Sequence, residues 1–585
     1  MRVFGYLMWF FKQEKKAYLI GIAVLLVVAA LQLVPPWLIG GVVDAIDTDT
    51  LTGSSLAQFM GVLLASGVAM YVLRYIWRIM IFGSSVKLAR QMRARLYEHF
   101  TRMSPQFYQK RRVGDLMAHA TNDLSAIQQT AGVGVLTLVD SLATGLFVVI
   151  TMAVLIDWQL TLIALIPMPI MALSSNYYGT LLHKRFGAAQ EAFSDLNDKS
   201  QESISGIKVI KTFGQEKEDI ASFRDLSADV VKKNVAVARI DSLFDPTISL
   251  IVGASFFLSI FFGARMVIAD DLTIGQMISF TTYLGLLVWP MLAVGWLFNI
   301  VERGRASYER VEQLLSHSVD IREKTGALET PPSGDIIFAI KRFSFPGDEA
   351  VSLENVSFTI KRGDTLGVIG RTGAGKTTIL KLLMREFDGY DGRVEFGGHS
   401  IDDYSLKALR KSIGYVPQDH FLFSASIREN IAFTDPTISQ EKVEEAARIA
   451  QVHEDILGFT EGYKTIVGER GVSLSGGQKQ RISIARAILM DPEVLLLDDS
   501  LSAVDAKTEE AILSTLKETR EGKTTIITSH RLSAIQHAQQ IIVLDNGELV
   551  ELGTHEELME KQGWYYEMYV RQQLEELVEQ GGQTK

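Results

Sequence analysis

The chain has 585 residues, which is too long for one hydrophobic core and predicts at least two domains. Its formal net charge of −10 argues against a nucleic-acid-binding surface, because such surfaces concentrate lysine and arginine. The absence of cysteine excludes disulfide bonds, thiolate zinc sites and thiol catalysis. Long apolar runs occupy the chain up to about residue 300, whereas residues 330–585 resemble a soluble mixture of helices and strands.

The N-terminus lacks the pattern of a cleaved signal peptide. The apolar run from about Ala17 to Leu33 continues into VPPWLIGGVVDAI without a small-x-small cleavage site. The preceding stretch FGYLMWFFKQEKK has an aromatic first half and a basic end, which indicates an interfacial helix lying on a bilayer. An extension of the first membrane span is the alternative, because aromatic residues and lysines flank many spans.

Six stretches contain the roughly 20 apolar residues that a helix needs to cross a bilayer. They lie at about 17–43, 57–83, 133–155, 159–181, 244–268 and 275–300. The first, third and fifth connections are short and acidic, whereas the second and fourth are long and rich in lysine and arginine. By the positive-inside rule, the N-terminus, both long loops and the C-terminal half lie in the cytoplasm.

Each long loop predicts two helical arms joined by a short tip helix. Residues 84–103 keep an apolar stripe at helical spacing, so the second span is expected to continue roughly 30 Å into the cytosol. Pro105 then interrupts the helix. The tips lie around Asp115–Asp123 and Ser205–Phe213, and their apolar side chains favour contact with another domain over a fully solvated hairpin.

Few charged or aromatic side chains are candidates for lining a substrate cavity between the spans. Arg74 and Asp140 are charged residues within predicted spans, which usually face a bundle interior or a water-filled cavity. Trp289, Trp296 and Phe298 lie near a proline that is expected to kink the sixth span. Snorkelling or a helix–helix pair is the alternative for the two charged residues, and contact with lipid or the protein core is the alternative for the three aromatic residues.

The stretch TLGVIGRTGAGKTTILKLL predicts a strand, a glycine-rich turn and a helix. Gly370, Gly375, Lys376 and Thr377 match the phosphate-binding motif G-x-x-x-x-G-K-[ST]. Glycines let backbone N–H groups surround a phosphate, Lys376 reaches the terminal phosphates, and Thr377 offers a hydroxyl to Mg²⁺. The predicted nucleotide contacts cover the whole loop: Gly370, Arg371, Thr372, Gly373, Ala374, Gly375, Lys376, Thr377 and Thr378.

A second motif follows about 120 residues later. Its sequence, VLLLDD, predicts a buried parallel strand that ends in two carboxylates. Ligands bind at the carboxyl ends of such strands. Asp498 is expected to hold Mg²⁺ directly or through water, and Asp499 to orient or deprotonate the attacking water. A helix N-cap role for one of them is the alternative.

The segment LSGGQKQRISIARAIL, which begins at Leu474, resembles the signature sequence of ATP-binding-cassette (ABC) transporters. Further matches follow the family's order. Gln418 in GYVPQDHFLF resembles the Q-loop, VGERG at 467–471 the X-loop, SAVD ending at Asp505 the D-loop, and His530 in TIITSHRLS the switch histidine. The six spans with two long loops resemble the exporter-type membrane domain, so the resemblance covers almost the whole chain.

The resemblance therefore implies a two-part fold. An α-helical polytopic membrane domain is expected over residues 1–320, followed by a linker at 321–333. An α/β P-loop ATP-binding-cassette domain is expected over 334–572, followed by a polar tail at 573–585.

The resemblance also implies that ATP and Mg²⁺ bind between two nucleotide domains that face each other head to tail. The signature residues Ser475, Gly476, Gly477 and Gln478 would contact the nucleotide bound to the partner domain. His530 would contact the γ-phosphate in its own domain, and Gln418 would bind Mg²⁺ and link it to the membrane domain. Phe345 in KRFSFPGDE stands where the family often has a tyrosine that stacks on adenine, and its ring should serve equally. The tip helices resemble coupling helices, the second of which generally docks on the partner's nucleotide domain.

Asp499 stands where the family usually has glutamate. Its side chain is one methylene shorter, which draws the carboxylate back by roughly 1.3 to 1.5 Å. A misplacement of about 1 Å can slow catalysis about 10²-fold. We therefore expect the site built on Lys376 and Asp498 to bind ATP and hydrolyse it poorly. This pattern resembles one half of the heterodimeric bacterial multidrug ABC exporters; a homodimer with Asp499 as a slow base is the alternative.

The resemblance implies ATP-driven efflux of hydrophobic or amphipathic compounds across a bacterial plasma membrane. The expected partners are a second half-transporter chain, the lipid bilayer and an apolar small molecule, with no nucleic acid. A lipid or peptide flippase would share every motif above. An importer of this fold and a non-transporting ATPase sensor are further alternatives.

Overall fold

The computed structural model describes residues 2–468 and 474–582, which form two compact units. The first unit comprises the residues up to Arg102 and Tyr108–Ser318, and it is helical. The second comprises Met103–Phe107 and the residues from Val319 onward, and it is built around a β-sheet. The predicted domain boundaries themselves stay predictions.

Fifteen described helices precede the sheet. They are α1 (Arg2–Tyr6), α2 (Met8–Gln13), α3 (Lys15–Leu31), α4 (Val34–Asp47), α5 (Gly53–Arg102), α6 (Pro105–Gln109), α7 (Val113–Ala118), α8 (Leu124–Gln129), α9 (Val135–Thr151), α10 (Trp158–Leu165), α11 (Met168–Ser205), α12 (Ile207–Phe213), α13 (Glu216–Ile268), α14 (Ile274–Leu286) and α15 (Val288–Leu315). Single π-helical turns at His119–Asp123, Thr130–Gly134 and Met152–Ile156 follow α7, α8 and α9.

Among the described residues, five helical stretches are long and apolar enough to cross a membrane. They are Lys15–Asp47, Gly53–Arg102, Val113–Ile156, Glu216–Ile268 and Ile274–Leu315. The predicted fourth span falls instead on a shorter apolar segment, Trp158–Met171. Pro167 lies at the break between α10 and α11, because it lacks the N–H that would continue the hydrogen-bond ladder. Six spans are compatible with this arrangement and are not confirmed by it.

The N-terminal stretch forms two short helices rather than an uninterrupted extension of the first span. Glu14 has non-helical dihedral angles, with φ −99° and ψ 27°, and separates α2 from α3. Val3, Leu7 and Phe10 are fully buried in an apolar cluster with side chains of α5, α8 and α15. Side chains of α5, α8 and α15 therefore cover part of the apolar surface that was predicted to lie on the bilayer.

A buried carboxylate fastens the first tip region to α15. Asp123 accepts hydrogen bonds from the Ser307 hydroxyl at 2.8 Å and from Nε of Arg310 at 3.1 Å. The Nδ1 atom of His119 lies 2.6 Å from the same carboxylate. A buried charge is stable only when it is paired in this way, so α15 and the tip are joined by polar contacts.

The second long loop has the predicted pair of arms. The arms are α11 and α13, which pack along each other and are joined by the tip helix α12. Val209 and Phe213 on that tip are 60% and 72% exposed. These side chains remain available for contact with another chain.

Polar residues within two predicted spans lie together with an aromatic residue. Trp289, at the start of α15, and Arg74 of α5 are both near enough to Asp140 of α9 to influence its carboxylate. This arrangement matches helix–helix pairing, one of the alternatives open from sequence. The expected kink near Pro290 is a helix boundary, because α14 ends at Leu286 and α15 begins at Val288.

The second unit contains a sheet of ten described strands. They are β1 (Ile336–Phe343), β2 (Leu353–Ile360), β3 (Thr365–Gly370), β4 (Asp391–Phe396), β5 (His399–Ser400), β6 (Ile413–Val416), β7 (Val494–Asp498), β8 (Thr524–Thr528), β9 (Gln540–Asp545) and β10 (Glu548–Gly553). Their order is β5-β4-β1-β2-β10-β9-β3-β8-β7-β6. Strands β9, β3, β8, β7 and β6 are parallel to their neighbours in this run, so their carboxyl ends lie on one edge.

Nine described helices accompany the sheet. They are α16 (Lys376–Leu383), α17 (Leu406–Lys411), α18 (Ile427–Ile431), α19 (Gln440–Ile449), α20 (His453–Leu457), α21 (Gly476–Leu489), α22 (Ala506–Thr519), α23 (His555–Lys561) and α24 (Trp564–Gly582). The predicted polar tail at 573–585 begins inside α24, because no glycine or proline interrupts residues 564–580.

The predicted linker at 321–333 is attached to this second unit. The buried side chain of Arg385 donates to the carbonyl of Arg322 at 2.9 Å. Lys324 forms a 2.7 Å ion pair with Asp403, and a β-bridge joins Leu328 to the following residue, Tyr404. The segment is therefore ordered by contacts with the sheet domain.

Candidate functional site

The phosphate-binding loop runs from the end of β3 to the start of α16. Gly373 and Gly375 have φ values of +84° and +97°, a region that favours glycine. A Cβ atom at Gly375 would lie 2.7 Å from the side chain of Leu353, and one at Gly370 would lie 2.2 Å from the carbonyl oxygen of Leu544. Glycine is thus required both by backbone conformation and by space.

Lys376 is buried and curls back over the loop that precedes it. Its Nζ atom donates to the carbonyl oxygens of Gly370 at 2.8 Å and Arg371 at 3.1 Å. Burial lowers the pKa of Lys376, and the charges of Asp499 and Asp498 oppose this shift. An ammonium group desolvated in this way interacts more strongly with an incoming anion than one in water.

Asp498, at the end of β7, is 2% exposed and accepts three hydrogen bonds from hydroxyl groups. Its Oδ1 atom accepts from Thr377 at 2.9 Å and from Thr528 at 2.8 Å. Its Oδ2 atom accepts from Tyr415 at 3.1 Å. These bonds fix both the position and the rotation of the carboxylate.

Sequence reasoning missed Tyr415 and Thr528. Tyr415 lies in β6 three residues before Gln418, and Thr528 ends β8 two residues before His530. Both reach Asp498 because β6, β7 and β8 are adjacent parallel strands. Both are polar residues near the carboxyl ends of apolar strands, which is a signal that the sequence contains. Recognising that they contact Asp498 also requires knowing that β6 and β8 are the neighbours of β7.

Asp499 has an unusual backbone conformation, and its charge acts on both Lys376 and His530. Its φ is +45°, and its N–H donates to the carbonyl of Thr528 at 2.9 Å. The Nε2 atom of His530 lies 3.4 Å from Nζ of Lys376. Burial lowers the pKa of His530, the charge of Lys376 lowers it further, and the charge of Asp499 opposes both. The structure therefore brings together Lys376, Asp498, Asp499 and His530.

Other predicted site residues lie apart from this cluster. Gln418 is exposed beyond the end of β6, and the ring of Phe345 packs edge-on against Phe387 at 5.0 Å. Among the described residues, no hydrogen bond joins the Gln418 side chain to Lys376 or Asp498. The remaining loop residues Arg371, Thr372 and Gly373 are exposed, whereas Ala374 and Thr378 are buried beneath the loop.

The signature residues form the N-terminus of α21. The hydroxyl of Ser475 accepts from the N–H of Gln478 at 3.2 Å, and the side chain of Gln478 accepts from the N–H of Ser475 at 3.1 Å. This capping box leaves Gly476 and Gly477 in the first turn of the helix, where N–H groups are free of intrahelical partners. The proposed X-loop, VGERG, falls mostly outside the described residues, which omit 469–473.

The cluster fits the groups that its residues are expected to hold. Hydroxyl and carboxylate oxygens are ligands that Mg²⁺ prefers, and Thr377 and Asp498 supply one of each at the loop. The glycine-rich turn, the start of α16 and the buried Lys376 suit a phosphate chain. Thr377 and Asp498 would hold the metal ion, which would neutralise phosphate charge there.

Comparison with known proteins decides the family. Residues 18–291 match the family model described as "ABC transporter transmembrane region", and residues 353–502 match the model described as "ABC transporter". The chain belongs to the ABC transporter family.

Curated relatives match this ABC transporter over nearly its whole length. It is 45% identical over 566 residues to the "Probable multidrug resistance ABC transporter ATP-binding/permease protein YheI" of Bacillus subtilis, covering 97% of each chain. It is 46% identical over 576 residues to the "Multidrug resistance-like ATP-binding protein MdlA" of Escherichia coli, covering 98% of this chain and 97% of that one. A solved bacterial Atm1-family ABC exporter with ATP bound matches with a TM-score of 0.79 at 25% identity, covering 95% of this chain and 99% of that one.

These matches confirm the predicted family and fold class. The chain joins an exporter-type transmembrane domain to an ABC ATPase domain, as expected from the motifs and the apolar stretches. It is a multi-pass membrane transporter whose transport is coupled to ATP hydrolysis, and the bacterial relatives given above are named for multidrug resistance.

Proposed function

We propose that this chain exports hydrophobic or amphipathic compounds across a bacterial plasma membrane as one half of a heterodimeric ABC exporter. The asymmetric part of the proposal is supported by the aspartate at position 499, whose charge acts on Lys376 and His530 and whose side chain is shorter than that of glutamate. The full-length likeness to relatives named for multidrug resistance supports the substrate class.

Each residue of the cluster has a proposed role. Lys376 binds the terminal phosphates, and Thr377 and Asp498 hold Mg²⁺. His530 contacts the γ-phosphate, and Asp499 orients or deprotonates the attacking water. The exposed Gln418 links the metal ion to the membrane domain, and the ring of Phe345 stacks on adenine.

The signature of this chain serves the partner's nucleotide. Ser475, Gly476, Gly477 and Gln478 would face the phosphates bound to the second chain, with the N-terminus of α21 favouring the anion. The exposed apolar side chains of the second tip, Val209 and Phe213, support contact of that tip with the partner's nucleotide domain. The partner chain should then carry a glutamate at the catalytic position and an altered signature.

In this mechanism, nucleotide binding closes the two cytoplasmic domains and draws the tip helices together. That movement opens the membrane cavity outward. Hydrolysis at the partner's site resets the assembly, while the site containing Asp499 retains its nucleotide for longer.

Transport by inverted membrane vesicles tests the proposal. The vesicles carry this chain alone, a candidate second half-transporter alone, or both, and ATP-dependent uptake of a lipophilic dye is measured. We expect uptake only with both chains, and weaker nucleotide binding by this chain after Lys376→Ala. Rapid uptake and hydrolysis by this chain alone would establish a homodimer. Absence of dye uptake from vesicles whose paired chains hydrolyse ATP would refute multidrug efflux.

A further inference from the structure

The loop that carries His530 is held on one side by a buried glutamate. Glu509 of α22 accepts hydrogen bonds from the Ser533 hydroxyl at 3.1 Å and from Nη1 of Arg531 at 3.4 Å. The Glu509 side chain is almost completely buried. This contact fixes the part of the loop that follows the histidine.

The other side of the loop is held by the C-terminal helix. Gln572 of α24 donates through Nε2 to the carbonyl oxygen of His530 at 2.8 Å. Its Oε1 atom accepts from the N–H of Leu532 at 3.0 Å. One side-chain amide thus satisfies two backbone groups that flank Arg531, as a neighbouring strand would.

The attachment of α24 to the domain does not depend on this amide. Tyr565 is fully buried, and its hydroxyl lies 2.8 Å from Nδ1 of His555. Trp564, Met568 and Tyr569 pack against the same apolar cluster. Because apolar side chains already anchor the helix, the two hydrogen bonds of Gln572 act specifically on the loop.

We propose that Gln572 is a positioning residue that holds His530 where it meets the γ-phosphate. The hydrogen bond is made to the carbonyl of the histidine itself, whose ring lies 3.4 Å from the amine of Lys376. Shifts of about 1 Å in such a contact change binding and catalysis strongly. The C-terminal helix thereby contributes to the discrimination of ATP from ADP. This inference rests on the proposed role of His530.

Nucleotide affinity of the full-length chain tests the inference. The affinities for a non-hydrolysable ATP analogue and for ADP, both with Mg²⁺, are measured on protein in lipid nanodiscs. We expect Gln572→Leu to weaken binding of the ATP analogue about 3- to 10-fold, as the loss of two hydrogen bonds implies, with ADP affinity changed less than about 2-fold. Gln573→Leu is the matched control, because that exposed side chain lies next to Gln572 on the same helix; it should change neither affinity.

A second variant separates positioning from stability. Gln572→Glu keeps the size of the side chain and the acceptor for Leu532 but places a carboxylate against the carbonyl of His530. It should lower the preference for the ATP analogue even where Gln572→Leu does not fold. Equal losses for both nucleotides, or no loss with a folded variant, would overturn the positioning role.

A double-mutant cycle with His530→Ala distinguishes this inference from the proposed function. We expect His530→Ala to lower the preference for the ATP analogue and to abolish the further effect of Gln572→Leu, because coupled residues are not additive. Additive effects would reject Gln572 as a positioning residue and leave the role of His530 intact. An unchanged preference in His530→Ala alone would reject both.

Discussion

Replacing Asp499 with glutamate is expected to raise ATP hydrolysis at this site about 10²-fold when the chain is assembled with its partner. The added methylene extends the carboxylate by roughly 1.3 to 1.5 Å. A misplacement of about 1 Å in a catalytic group costs about 10²-fold in rate. That factor corresponds to about 2.7 kcal/mol of activation free energy at 25 °C.

The backbone at this position opposes the change, though by less. Asp499 has φ +45°, and its N–H is held by both the carbonyl and the hydroxyl of Thr528. Aspartate and asparagine enter this left-handed region more easily than glutamate, for which the conformation costs about 1–2 kcal/mol. We therefore expect Asp499→Glu to lower the free energy of unfolding by about 1 kcal/mol while the activation barrier falls by more.

Steady-state phosphate release at saturating ATP and Mg²⁺ measures the effect on the assembly of both chains, in which the partner's own catalytic glutamate is replaced by glutamine so that turnover comes from the Asp499 site. Asp499→Asn is the matched control, because it retains the size and the left-handed preference and removes the carboxylate. It should fall below the wild-type rate. If Asp499→Asn hydrolyses ATP as fast as the wild type, Asp499 is not the base. If Asp499→Glu is folded and no faster than the wild type, the argument from side-chain length is wrong.

Three further changes probe the site and the helical unit. Tyr415→Phe removes a hydrogen bond to the carboxylate of Asp498 and should raise the Mg²⁺ concentration needed for half-maximal nucleotide binding about 10-fold. Gly304→Ala places a Cβ 1.8 Å from the hydroxyl of Thr130 and should cost about 1–3 kcal/mol, seen as a lower thermal midpoint. The pKa of His530 is lowered by burial, and a γ-phosphate would raise it, so nucleotide binding should take up a proton. ATP affinity should therefore increase as the pH falls from about 7.5 to about 6.

Each of these three predictions has a control variant. Tyr390→Phe removes a hydroxyl from another half-buried tyrosine of the same domain, and its Mg²⁺ requirement should match the wild type. Gly253→Ala adds a Cβ that meets nothing within 4 Å, so its thermal midpoint should not fall. His530→Gln should remove the part of the pH dependence that comes from the histidine. A pH dependence unchanged in that variant would assign the effect to the phosphate groups themselves.

The local motifs were predictable because their geometry is contained in short stretches of sequence. A strand, a glycine turn and a helix place Lys376 and Thr377 together with no knowledge of the rest of the fold. The contacts of Asp498 with Tyr415 and Thr528 depend instead on the order of strands β6, β7 and β8. Tyr415 is 83 residues from Asp498 in the chain, and Thr528 is 30 residues from it. Gln572 reaches the loop of His530 across 42 residues, and no pattern in the sequence indicates that pairing.

The membrane unit shows a different limit of sequence reasoning. Counting apolar residues predicted a fourth span at 159–181, but the helix breaks within that stretch at Pro167, between α10 and α11. The long arms were predicted well, because an apolar stripe at helical spacing continues without interruption to Arg102 in α5. Hydropathy therefore indicates whether a segment suits the bilayer but does not locate a helix break, and proline alone does not either, because α13 continues through Pro246.

The two carboxylates that end β7 are held in different ways, and this difference bears on what the site can do. Asp498 accepts a hydrogen bond from each of three hydroxyl groups, and each donated proton leaves the lone pairs of its oxygen free. The hydroxyl of Thr377 is thereby oriented in advance, with an acceptor on one side and capacity for a metal ion on the other. Asp499 is fixed through its backbone N–H, so its reach is set by the length of its own side chain. Because the groups proposed to bind Mg²⁺ and phosphate are held in place while Asp499, the proposed base, is one methylene shorter than glutamate, we expect tight retention of ATP and slow turnover at this site.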